Sequence, residues 1–370
     1  MRVVADGRTL GSRPSGVGMC AFGFLLEMIK YDCELIVLSD VAESEEMQWL
    51  DKQGVRIITY GRRIYRSGSV FAYFKFVKRN VLELQPDIFW EPNALIAGNL
   101  KGFHGKIAVT LHDMFPITQP ECFSFLYRIY FRLILKKTIK IADILIYNSE
   151  ETKHSTETCF PEAKKKKNSI GYIIMDSENL SCDVSLCSKE IQNLAQGDYF
   201  LYVGNMEKRK GVDILLAGYE KYVESGGGAA LYLVGKRREK DIDVQIDEAV
   251  RNLHKLRYVG YVGEQEKKLL LKNCSAFVFP SRAEGFGIGV LEAMQYGKPV
   301  IASDLSIFKE IVGESIHYFE MAGTAEEQAE RLASQLREYH HQIDSVQYAQ
   351  CLNRYSAEVL GKRFVEILDE

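Results

Sequence analysis

Short apolar runs alternate with helix-period segments along the whole chain. In the first half the strand-like runs are residues 3–5, 35–38, 55–59, 88–90, 107–111, 144–147 and 169–173. In the second half they are residues 199–203, 230–234, 256–259, 276–279, 300–302 and 316–319. Between them lie segments with apolar residues at helical spacing, such as 18–30, 124–141, 211–223 and 264–271. Strand and helix in steady alternation imply parallel sheets covered by helices. The pattern weakens once, between about residues 175 and 197, where Asp, Ser, Asn and Cys occur without periodicity. A chain of 370 residues exceeds one ordinary core, so two doubly wound domains are expected, 1–178 and 179–344. Residues 345–370 read as a terminal helix. Ligands of such sheets bind at the carboxyl ends of the strands, which here are expected to face each other across a cleft.

Composition removes several function classes. No apolar run approaches the ~18–20 residues of a membrane span. The chain enters a strand-like segment at Met1-Arg-Val-Val-Ala5, so no secretory signal is expected. The eight cysteines are scattered without C-x-x-C spacing and read as free thiols of a reducing cytoplasm. Charge is uneven. Residues 1–170 hold 24 Lys/Arg against 19 Asp/Glu, and the remainder 23 against 31. The basic half contains Lys164-Lys-Lys-Lys167 and Phe125-Leu-Tyr-Arg-Ile-Tyr-Phe-Arg-Leu-Ile-Leu-Lys-Lys137. Cations mixed with aromatic residues suit an anionic membrane surface, and a half-buried helix with a solvated face accounts for them equally well. No recognition motif accompanies the charge, so nucleic acid is not expected as a partner.

Four loops following strand runs carry candidate chemistry. Ser15-Gly-Val-Gly18 lets backbone amides approach an anion at a helix start, although a plain tight turn explains it too. His112 follows an apolar strand in Leu111-His-Asp-Met-Phe-Pro116, where a histidine meets substrate or serves the structure. In Gly204-Asn-Met-Glu-Lys-Arg-Lys-Gly211, Arg209 and Lys210 stand at a helix start, where cations oppose the helix dipole. A bound diphosphate would relieve that conflict, and a solvated basic turn remains the alternative. The fourth loop, Ser281-Arg-Ala-Glu-Gly-Phe-Gly-Ile-Gly-Val-Leu-Glu292, places Glu284 before glycine amides and Glu292 inside the next helix. Such a carboxylate pair fits a polyhydroxylated ligand, and in isolation also glycoside hydrolysis. A hydrolase has no need of the separate Arg-Lys anion site.

At these residues the chain resembles the retaining glycosyltransferases of family 4, which have the GT-B fold. The resemblance runs essentially end to end. It is strongest over residues 198–320, where E-G-F-G-x-x-x-x-E is followed by A-x-x-x-G-x-P-V-I-A-S. Weaker matches are Asp6-Gly-Arg8 with Ser15-Gly-Val-Gly18, Leu111-His-Asp113, and Ala142-Asp-Ile-Leu-Ile-Tyr-Asn-Ser149. The resemblance implies an N-terminal acceptor domain, a C-terminal nucleotide-sugar domain, and a last helix, 345–370, packed back on the first. It implies that Glu284 binds donor-sugar hydroxyls, assisted by amides around Phe286 and Gly287, and that Glu292 binds ribose with Leu291 beside it. Arg209 and Lys210 would hold the diphosphate, with Gly16 approaching it. His112 would lie near the reacting sugar with Asp113 beside it. The backbone at Tyr261 and Val262 would meet the base. One departure is Asn205, where many members have arginine.

The implied function is metal-independent, retaining transfer of a hexose or deoxyhexose from a GDP-, dTDP- or UDP-sugar to a hydroxyl of a growing, lipid-linked bacterial surface glycan. No cofactor or metal is expected, since no D-x-D or histidine cluster suggests one. A non-catalytic partner with the same fold, a sugar-nucleotide epimerase and a phosphorylase are the alternatives.

Overall fold

The chain folds as two α/β units in the computed structural model, which describes residues 1–64, 70–96, 98–175, 180–339 and 343–369. One unit is Met1–Asp176 with Tyr355–Glu370, and the other is Ser177–Arg354. The expected junction between residues 178 and 179 lies outside the described residues.

The first unit holds β1 (Arg2–Asp6), β2 (Glu34–Ser39), β3 (Arg56–Thr59), β4 (Ile88–Glu91), β5 (Lys106–Leu111), β6 (Ile144–Tyr147) and β7 (Lys167–Ile170). They pair in parallel in the order β3-β2-β1-β4-β5-β6-β7. The second holds β8 (Tyr199–Val203), β9 (Ala230–Val234), β10 (Leu256–Gly260), β11 (Ala276–Phe279), β12 (Val300–Ser303) and β13 (His317–Phe319). Their order is β10-β9-β8-β11-β12-β13, again all parallel. Each expected strand run overlaps a strand, although the run 169–173 is strand only at residues 169 and 170, and the doubly wound fold class stands.

The reason for continuous apolar runs is visible in the first sheet. Val4, Ile36, Phe89, Val109 and Leu145 enter one core, with Tyr73 and Phe131 from covering helices. Their neighbours Val3, Val37, Trp90, Ala108 and Ile146 enter the opposite core, with Phe24, Leu25 and Phe364. Successive strand residues point to opposite faces, so a sheet covered on both needs an apolar residue at every position. Both sheets reverse direction once, between β1 and β4 and between β8 and β11. The loops leaving those strands diverge and open a crevice at their carboxyl ends.

The terminal helix differs from expectation. Residues 345–370 contain two helices, Ser345–Asn353 and Ala357–Asp369, rather than one. The Asp344 carboxylate caps the first, accepting from Val346 N at 3.0 Å and Gln347 N at 2.9 Å. Tyr348 and Cys351 tie that helix to the second unit through the Lys298 and Ile311 carbonyls. Tyr355, fully buried, breaks the run: its ring meets Tyr172 edge-on and its carbonyl accepts from Met175 N at 2.8 Å. Only the last helix belongs to the first unit, where Phe364 stacks on Phe24 at 3.9 Å and meets Trp90 at 5.1 Å. Burying a ring of that size contributes about 1.5–3 kcal/mol.

Candidate functional site

The reversal point of the second sheet brings together three of the residues singled out in the sequence. After β8 the chain makes a short 3-10 turn, Lys208–Lys210, and begins the helix Val212–Glu224. Gly211 between them has φ 70°, and a Cβ there would stand 1.8 Å from the Pro280 carbonyl oxygen. Only glycine permits that approach, which sets the turn against the loop leaving β11. Lys210 Nζ donates to both Glu284 carboxylate oxygens, at 2.6 and 2.9 Å. Ser281 Oγ donates to Glu284 Oε1 at 2.6 Å. Arg209 donates to the Ala283 carbonyl at 2.8 Å and to Glu207 at 3.3 Å, and lies 4.0 Å from Glu284. Arg282 holds Asp213 through two bonds of 2.6 and 2.9 Å. The dipole conflict inferred from sequence is therefore met within the protein, because Glu207, Asp213 and Glu284 supply anions beside the cations. The cluster is charge-balanced as it stands and is not an unbalanced positive site.

Glu292 is a separate centre. It lies on the helix Ile288–Gln295, where Lys267 Nζ donates to its Oε1 at 2.9 Å and also contacts Glu264 at 3.1 Å. Burial disfavours the Lys267 charge, but the two carboxylates outweigh it and hold its pKa above the usual lysine range. No other hydrogen bond to Glu292 forms among the described residues, which leaves Oε2 open to a hydroxyl donor. Gly287, at φ 96°, starts that helix, and the buried Phe286 ring precedes it. Leu291 is fully buried, so its side chain faces the core. Tyr261 is exposed beyond β10 with Lys236 Nζ 4.4 Å from its ring centre, and Val262 beside it is half-buried.

In the first unit, Gly16 is the exposed first residue of the helix Gly16–Lys30, and nothing stands within 4 Å of where its Cβ would be. The glycine that packs is Gly18, whose Cβ would fall 2.3 Å from the Thr9 carbonyl oxygen. His112 follows β5. Its Nε2 stands 2.8 Å from the Pro92 carbonyl oxygen, and its own carbonyl accepts from Thr152. The residue is half-buried overall, and desolvation lowers its pKa despite the Pro92 bond. Asp113 accepts from Phe115 N at 3.1 Å, just ahead of the helix Phe115–Thr118.

In the sequence Asp6 and Arg8 carry no site role, and nothing marks Glu91. Arg8 is buried at the reversal point of the first sheet, 2.6 Å from Asp6 and 3.0 Å from Glu91. Tyr73 donates to Asp6 at 2.7 Å. Burial pushes the Glu91 carboxyl well above the usual carboxylate range, against the pull of Arg8. Asp6-Gly-Arg8 is legible as a motif, but Glu91 is distant in sequence and carries no local signal.

The helix Phe125–Ile141 contains no acidic residue. Its exposed side carries Phe125, Leu126, Ile129 and Leu133 together with Arg132, Lys136, Lys137 and Lys140. Among the described residues no helix is long and apolar enough to cross a membrane, and no three His, Cys, Asp or Glu side chains converge to hold a metal.

Residues 188–350 match the glycosyl transferases group 1 family. The O-antigen chain mannosyltransferase B of Escherichia coli is 38% identical over 124 residues, 33% of this chain and 32% of that protein. The O-antigen chain mannosyltransferase RfbU of Salmonella typhimurium is 28% identical over 218 residues, 57% of this chain and 55% of that protein. The chain thus spans about a third to about half the length of these curated relatives. The crystal structure of Anabaena HepE with UDP and glucose superposes over 100% of this chain and 99% of that one, with a TM-score of 0.77 and 19% identity.

Proposed function

We propose that this chain, which carries a glycosyl transferases group 1 domain across residues 188–350, is a retaining glycosyltransferase of GT-B architecture. It moves a hexose or deoxyhexose from a nucleotide-diphosphate sugar to a hydroxyl of a growing bacterial surface glycan. The observation that carries this reading is the convergence of Arg209, Lys210 and Glu284 where the second sheet reverses. Arg209 and Lys210 take the leaving diphosphate, whose charge grows as the glycosidic bond breaks. Glu284, with the amides of Phe286 and Gly287, receives sugar hydroxyls. Glu292 Oε2 accepts from the ribose, and the backbone at Tyr261 and Val262 meets the base. The leaving phosphate assists deprotonation of the acceptor on the same face, so no protein nucleophile is required. The cations beside Glu284 also take the place that a metal would fill at the diphosphate.

Thermal-shift screening against UDP, GDP, dTDP and ADP, followed by transfer assays with the matching sugars, tests the reading. One nucleotide class should raise the melting temperature, because ligand at 100 times Kd adds about 2.7 kcal/mol to stability. Transfer should then proceed in EDTA. Absence of both stabilisation and transfer refutes the assignment, and loss of activity in EDTA restored by Mn²⁺ refutes the metal-free mechanism. Conversion of donor without acceptor would instead identify an epimerase.

The acceptor is lipid-linked in this reading, and the enzyme works at the inner face of the cell membrane. The exposed side of the helix Phe125–Ile141 supports this, since four apolar and four cationic residues share it without a carboxylate. Each cation near an anionic surface contributes about 1 kcal/mol. Lys136→Glu with Lys137→Glu should lower binding to phosphatidylglycerol vesicles by about 10-fold or more in co-sedimentation. Equal binding of the variant, or equal binding of the wild type to phosphatidylcholine vesicles, removes the membrane assignment.

A further inference from the structure

We propose that Arg8 and Glu91 are positioning residues for His112: through the turn at residues 92–95 they hold its imidazole as the Nε2–H tautomer and leave Nδ1 to accept from a sugar hydroxyl. The sugar in this statement rests on the proposed transferase function, whereas the tautomer does not.

The chain of contacts is continuous. Pro92 follows directly on β4, whose last residue is Glu91. Glu91 Oε1 accepts from Arg8 at 3.0 Å and from Asn93 N at 2.9 Å, so one oxygen grips both the arginine and the turn. The Arg8 guanidinium also reaches the carbonyls of Asn93 at 3.4 Å and Leu95 at 3.3 Å. Ala94 between those carbonyls has φ 59°, a backbone region that alanine seldom adopts. Its N–H donates to the Thr110 carbonyl at 3.0 Å, on the strand that leads to His112. Such strain persists only where surrounding contacts enforce it. The enforced turn aims the Pro92 carbonyl at His112 Nε2, 2.8 Å away.

A carbonyl only accepts, so Nε2 must carry the proton. With the ring neutral, Nδ1 keeps its lone pair, and no other hydrogen bond to the imidazole forms among the described residues. An acceptor nitrogen on a half-buried residue at the carboxyl edge of the sheet suits a hydroxyl donor. A second bond fixing the tautomer of a working histidine is a recurrent arrangement.

Long-range ¹H–¹⁵N NMR on ¹⁵N-histidine-labelled protein, with Glu91→Ala, Glu91→Gln and Arg8→Met, tests the proposal. Signals of His112 are assigned by their loss in His112→Gln. The wild type should show Nε2 protonated. Glu91→Ala should release the turn, mix the tautomers and lower kcat by about 10-fold with a smaller change in KM. Glu91→Gln keeps an oxygen for Arg8 and Asn93, so it should retain the wild-type tautomer. Arg8→Met leaves two buried carboxylates uncompensated and risks the fold; the Glu91 pair decides the matter without it. A wild-type tautomer in a folded Glu91→Ala protein overturns the proposal whatever happens to activity. A shifted tautomer with unchanged kcat overturns the link to His112 chemistry. If the wild type transfers no sugar at all, the functional reading fails and the tautomer result still judges the network.

Discussion

Glu284→Ala lowers sugar transfer by at least about 10²–10³-fold, the scale of removing one group aimed at the reacting centre. The fold survives it. Glu284 accepts from Lys210 and Ser281, and its side chain is 7% exposed against 16% for Lys210. Losing the carboxylate leaves a partly buried ammonium without its partner, at a cost of about 1–3 kcal/mol. Lys210 also lies 5.4 Å from the Phe279 ring centre, a cation–π contact that limits the loss. The melting temperature should therefore fall by several degrees while circular dichroism stays native. Turnover is measured with labelled donor at saturating acceptor. Near-normal turnover in Glu284→Ala removes the carboxylate from the reaction. Affinity for the nucleoside diphosphate should not fall in this variant, because Lys210 no longer has to leave a carboxylate to meet phosphate. Loss of sugar transfer with retained nucleotide binding separates a sugar-facing role from general damage.

The sheet was legible because strands covered on both faces need uninterrupted apolar runs. Ala276 to Phe279 announces β11 with no periodic analysis at all. The terminal break was not legible. Tyr355 fits a helical pattern, and only its burial against Tyr172 shows why the chain turns there. Among the site candidates, Arg209, Lys210 and Glu284 were visible as residue types at strand ends. Their direct pairing was not, since Lys210 and Glu284 are 74 residues apart. Of the anions that relieve the helix-dipole conflict, Glu207 and Asp213 are close in sequence to the two cations, whereas Glu284 is brought beside them only by the tertiary fold. Glu292 and Lys267 hid from each other in the same way, 25 residues apart on different helices. Leu291, next to Glu292 in the motif, has its side chain turned into the core by helical geometry, which adjacency in sequence does not show.

Arg209→Ala with Lys210→Ala weakens nucleoside diphosphate binding by about 10–100-fold, or about 1.4–2.8 kcal/mol. Two charge-assisted bonds at about 1.5–3 kcal/mol each would predict more. The discount is structural, because both side chains are engaged before ligand arrives. Arg209 must give up the Ala283 carbonyl or Glu207, and Lys210 must share Glu284. A further effect works in the other direction. Removing Lys210 leaves Glu284 held by Ser281 alone, so its charge then faces the phosphates. Two unit charges 5 Å apart repel by about 3 kcal/mol at an effective dielectric constant of 20. Adding Glu284→Ala to the double variant should therefore recover part of the lost affinity, a non-additivity expected only if all three groups meet one ligand. Calorimetry at low and high salt measures both effects, and screening should shrink the difference as salt rises. Unchanged affinity in the double variant moves the diphosphate elsewhere. Strict additivity in the triple variant dissociates Glu284 from the phosphate-binding cations and leaves the convergence at β8 and β11 a structural ion pair.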